Sequence, residues 1–185
     1  MRQLALLPVL AISVTVACNG SSRSAIGGRL EARWTGADTG KMAAPSSAEW
    51  CADPRVLEIR AVQGDTGLAV ALYPLDTIEA DTYRVVHPEA RDSGAPSAGL
   101  ALRLFASNAV QGYQGDSGKV VLQQSKSGAL SGTLEARARS VVNGQQLRVS
   151  GKFQDVVVAP QSRGCGPASG DSADTNAGPP GTDVD

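Results

Sequence analysis

The strongest constraint on this 185-residue chain is a side-chain period of two that recurs along most of its length. Leu30, Ala32 and Trp34 alternate with Arg29, Glu31 and Arg33, and Leu57, Ile59 and Ala61 alternate with Glu58, Arg60 and Val62. The pattern returns at Leu68, Val70 and Leu72, at Tyr83 and Val85, at Leu100, Leu102 and Leu104, and at Val120 and Leu122. It closes with Leu130, Leu134, Ala136 and Ala138, then Leu147, Val149 and Phe153 leading into Val156, Val157 and Val158. Successive side chains of a strand point to opposite faces, so each run describes a strand with one apolar and one solvated face. Gly151 is the expected bulge where the alternation slips. Residues 76–80 leave room for a single helical turn.

Turn chemistry separates the runs at Gly64-Asp65-Thr66-Gly67, Ser93-Gly94, Gly115-Asp116-Ser117-Gly118, Ser127-Gly128 and Asn143-Gly144. Asn-Gly suits a two-residue type I′ hairpin. Strands at this spacing predict an all-β domain, either an antiparallel β-sandwich or a small barrel of about eight strands, with disordered termini. The Lys and Arg residues number 17 against 18 Asp and Glu, a net charge of -1. That balance gives no electrostatic basis for a nucleic-acid partner.

The ends differ from the body. Met1-Arg2 opens an apolar run that finishes at Val16-Ala17-Cys18, too short for a stable spanning helix and right for a secretory signal. Small residues directly before a cysteine resemble the lipobox of bacterial lipoproteins. The resemblance implies removal of residues 1–17, diacylation of Cys18 and attachment to the membrane through lipid. Asn19 stands where an aspartate would favour inner-membrane retention, which points to the outer membrane of a bacterial envelope. Residues 18–28 then form the lipidated cysteine and a flexible tether, 29–165 the β-domain, and 166–185 an acidic tail whose composition predicts disorder. With Cys18 assigned to lipid, Cys51 and Cys165 remain as a disulfide pair in an oxidising compartment. The segments Leu130–Leu134 and Val149–Phe153 resemble a pattern in small β-rich envelope lipoproteins of unknown function, which implies a fold class and no activity.

Residues that carry chemistry are sparse. Asp38-Thr39-Gly40, Asp65-Thr66-Gly67 and Asp116-Ser117-Gly118 resemble the Asp-Thr/Ser-Gly motif of aspartic proteases, but none follows an apolar strand in the family's manner. The Gly115–Gly118 run also resembles the nucleophile loop of trypsin-like proteases, with Lys119 in place of the next glycine. The single histidine, His87, has no context that places it beside Ser117. No segment has the Asp/Asn spacing of a calcium loop, so neither metal nor cofactor is expected. A binding or structural domain without catalysis is the reading; the alternative is a small exported hydrolase using the turn aspartates or His87. The stretch from Phe105 to Gln114 combines aromatic and amide groups in an aromatic-poor chain. It reads as a long connecting loop whose Phe105, Asn108, Gln111, Tyr113 and Gln114 contact a protein or glycan, with Tyr113 exposed.

Overall fold

A computed structural model describes residues 28–92, 94–106, 109–124 and 128–159. They form ten strands: β1 (Arg29–Gly36), β2 (Gly40–Ala52), β3 (Arg55–Gln63), β4 (Thr66–Tyr73), β5 (Thr82–Val86), β6 (Ser97–Ala106), β7 (Ala109–Gln124), β8 (Leu130–Ser140), β9 (Gln146–Val156) and β10 (Val158–Ala159). One sheet holds them all, and it closes on itself. β1 pairs with both β9 and β2, and β7 pairs with both β8 and β6, so eight long antiparallel strands complete a circuit. Closure leaves the barrel alternative standing and removes the exposed edges that two open sheets would carry. Two short strands are additions. β5 wedges between β6, to which it is parallel, and β7; β10 runs parallel to β2.

The alternation read from sequence sets which way each side chain points. Leu30, Trp34, Ile59, Leu72, Leu102, Leu122, Leu134 and Phe153 are among the buried residues of a single apolar core. Each fully buried large apolar side chain contributes about 1.5–3 kcal/mol. Arg29, Glu31, Arg33, Arg137 and Arg148 stand on the outer wall. Apolar inside and charged outside is the inverse of a membrane-spanning barrel.

Aromatic rings fit into this barrel over glycines of neighbouring strands. A Cβ at Gly40 would strike the Trp34 indole, and one at Gly132 would strike the Phe153 ring. β2 complements them with Ala44, Ser46 and Ala48 on its inner face, small groups facing Leu30 and Ile59 across the ladders. That substitution of alanine and serine for larger residues hides the strand's alternation in sequence.

The structure departs from several expectations for local reasons. Gly115–Gly118 is not a turn but the middle of the 16-residue β7, where the register to β8 shifts between Gly115 and Ser117. Gly118 has φ 132°, which lets the strand bend past β8. Gly151 stays in register; the slip lies between Leu130 and Gly132, opposite Asp155 at φ 54°. Asn143-Gly144 does mark a hairpin, but with five residues between strands. Ser140 Oγ accepts the N–H groups of Val142 and Asn143, and Asn143 Oδ1 accepts that of Gln145. Residues 76–80 form no helix; the only described helical turn is the 3₁₀ segment Pro88–Ala90.

Candidate functional site

The barrel has two unlike ends. β1 starts at one end, with the β2–β3 and β7–β8 connections; the other carries the β1–β2, β3–β4, β6–β7 and β8–β9 hairpin tips. Exposed apolar side chains gather near the tips: Val62 at 58%, Phe105 at 52%, Val110 at 62%, Val141 at 58% and Val142 at 83% exposure. Five such groups at one end are more than isolated surface hydrophobics require.

The register explains how they come together. Across the outer wall, Val62 lies opposite Gly67, Gly67 opposite Arg103, and Arg103 opposite Gly112. The Gly112 carbonyl accepts the Val141 N–H at 3.0 Å, which seats Val141 beside it. Two pairs further from the tips, Ala69 lies opposite Ala101. Gly67, Ala69, Ala101 and Gly112 therefore keep this stretch low, and Val62, Val110 and Val141 stand around it. The result is a groove of about 510 Å³, lined by those three valines, Gly67, Gly112 and the Arg103 side chain. Its chemistry is contact with an apolar, shape-matched surface.

Of the residues read from sequence as a contact loop, the structure leaves Phe105 exposed and, against expectation, buries Tyr113. The segment is a β6–β7 hairpin rather than a long loop, with Phe105 opposite Val110 and Ala106 opposite Ala109. Tyr113 points into the barrel at 2% exposure and donates its hydroxyl proton to Gln111 Oε1 at 3.0 Å. Burial, and secondarily the charge of Asp38, pushes its pKa above the ordinary 10.0. Gln111 is thereby committed to the core edge. Gln114 sits half-buried on the outer wall opposite Ala101, and Asn108 lies outside the described residues. Glycine and glutamine obscured the alternation here, because neither marks an inner or outer face. The valines were the missed signal: Val62 and Val110 are exposed on β3 and β7, and Val141 is exposed in the turn that follows β8.

The candidate catalytic residues do not assemble into one cleft. Asp38 and Asp65 occupy separate hairpin tips, and Asp38 accepts the N–H of its neighbour Thr39 at 2.7 Å. Asp116 is on the wall of β7, where Arg139 pairs with it at 3.3 Å. Ser117 faces Val86 at the end of β5, so His87 follows on the same stretch of wall. No hydrogen bond among the described residues joins His87 to Ser117 or Asp116. Nor do three His, Cys, Asp or Glu side chains converge among them. Cys51 is buried at 7% exposure; Cys18 and Cys165 lie outside the described residues.

Comparison with protein-family models, with curated proteins and with solved structures gives no match, so the groove is interpreted from its own geometry.

Proposed function

We propose that this chain is a lipid-anchored protein of the bacterial envelope whose barrel is a non-enzymatic module that binds a protein partner. The observation that carries the reading is the apolar groove under Val62, Val110 and Val141. A protein surface with projecting aliphatic or aromatic groups would fill it and shield the exposed valines from water. The anchor rests on Cys18 and its lipobox-like run, with Asn19 favouring the outer membrane. β1 begins at the end away from the hairpin tips, so a tether of residues 18–28 would hold the groove towards the far side from the membrane.

The disulfide belongs to the same proposal. β10 pairs Val158 with Ala48 and Ala159 with Glu49 in parallel, which directs the chain along β2 towards Cys51. Five residues lie between Ala159 and Cys165, a length that can reach that sulfur. In the chain-entropy account a bond closing so long a loop stabilises by about 4–5 kcal/mol.

Two measurements test the proposal. Cells fed a tagged fatty acid should label the wild-type protein and leave Cys18→Ala unlabelled; label on Cys18→Ala contradicts the anchor. Val110→Glu and Val141→Lys should abolish recovery of the partner from cross-linked envelopes while changing stability by no more than about 0.5 kcal/mol. Recovery unchanged by both substitutions would remove the groove from the account.

A further inference from the structure

On the wall roughly across the barrel from the groove, β1, β9 and β8 gather arginines that have no carboxylate partner among the described residues. Arg148 of β9 is paired in register with Arg137 of β8. Thr35 lies beyond Arg148 on β1, and Ser117 beyond Arg137 on β7. The neighbouring row brings Arg33 of β1 opposite Ser150, with Lys41 of β2 opposite Arg33 on its other side. Arg33, Arg137, Arg148, Thr35, Ser117 and Ser150 line one cleft of about 650 Å³. The carboxylates around it are engaged: Glu135, which with Lys119 also lines the cleft, pairs with that lysine at 3.9 Å, Asp116 with Arg139 at 3.3 Å, and Glu31 with Arg29 at 3.2 Å and Lys152 at 3.5 Å. No acidic side chain lies within ion-pair distance of Arg33, Arg137 or Arg148 among the described residues.

Like charges directly opposite on adjacent strands are destabilising, and this wall has two such pairs, Arg137 with Arg148 and Arg33 with Lys41. A bound anion would reverse the sign of that interaction. Guanidinium forks take carboxylate or phosphate in pairs of parallel hydrogen bonds. A lone carboxylate is planar and is satisfied by one fork. Two forks facing each other, with a hydroxyl at either end of the row, match a tetrahedral group with three terminal oxygens and close to two negative charges. We propose that this cleft is a binding site for a phosphate-bearing ligand, held between Arg137 and Arg148 with Arg33 as the third cation.

The test is a titration of the isotope-labelled full chain with pyrophosphate, followed through the arginine Nε–H and backbone amide signals. Acetate and chloride at matched ionic strength serve as references. Saturable shifts should concentrate at Arg33, Arg137, Arg148 and Ser117, and Arg137→Gln or Arg148→Gln should weaken binding about tenfold. Arg55→Gln, at the start of β3, should bind as wild type. All four arginines are exposed, so the variants should keep the wild-type amide spectrum. The proposal falls if acetate reproduces the shifts, if Arg55→Gln weakens binding as much as Arg137→Gln, or if no saturable shift develops. Vesicles containing phosphatidic acid, whose headgroup is a phosphate monoester, that compete with pyrophosphate would identify the phosphate as a lipid headgroup; absence of competition would identify a soluble phosphate monoester.

Discussion

A tyrosine inside a barrel must satisfy its hydroxyl without bulk water, and two tyrosines here do so locally. Tyr113 donates to Gln111, and Tyr83 donates to the Glu79 carbonyl at 3.1 Å. Removing the ring of Tyr113 should cost about 3–5 kcal/mol in thermal or denaturant unfolding. Tyr113→Phe, which loses only the hydrogen bond, should cost about 1 kcal/mol. A Tyr113→Ala protein as stable as wild type would contradict its place in the core. Burial raises the pKa of both hydroxyls above 10.0. A folded-state pKa above the unfolded one means the contribution is fully present below about pH 10 and is lost as pH rises through the folded value. Alkaline unfolding should therefore steepen above that pH, and Tyr83→Phe combined with Tyr113→Phe should flatten it. The chain's aromatic residues were visible in sequence, but their direction was not. Tyr113 sits among Gly112, Gln114 and Gly115, which carry no apolar contrast to fix its face.

Among the elements, strands with bulky alternation were legible and those built from small residues were not. β1, β3, β8 and β9 announce themselves through leucine and phenylalanine against arginine and glutamate. β2 shows no bulky alternation, although its 13 residues bridge β1 and β3 and complete the closure. Its inner small side chains lie opposite larger ones, Ala44 beside Leu30 of β1 and Ala48 beside Ile59 of β3. Glycines divide in the same physical way. At Gly118 an added Cβ would run into the Glu135 carbonyl oxygen, and φ is 132°, so Gly118→Ala should destabilise by more than about 2 kcal/mol. At Gly67 the nearest atoms are 3.9 Å from a new Cβ and φ is not positive, so Gly67→Ala should leave stability unchanged or slightly raised. Urea denaturation of the two variants separates these cases; equal effects would mean that β7 is not bent at Gly118 as described.

At the scale of the molecule, a net charge of -1 conceals a sorting of side chains between two walls. Strand periodicity says which residues face outward, but only the order of strands around the barrel says which outward residues are neighbours. Arg137 and Arg148 are separated by the β8–β9 hairpin in sequence and meet through its register. Val62, Val110 and Val141 are far apart in sequence and meet through the neighbour order β3-β4-β6-β7. The all-β class was therefore legible, whereas both surface sites required the strand order. The cysteine pair tests the staple separately: mass spectrometry without reductant should recover peptides carrying Cys51 and Cys165 joined, and both thiols alkylated without reduction would exclude the bond. The central claim is that the molecule meets its partner through the apolar groove near the hairpin tips. The direct measurement is a photoreactive amino acid placed at Val110, at Val141 and at Thr133 on another wall, followed by irradiation of intact cells. The account predicts one discrete adduct, shared by Val110 and Val141 and absent from Thr133. Adducts of equal yield at all three positions, or only at Thr133, would contradict it.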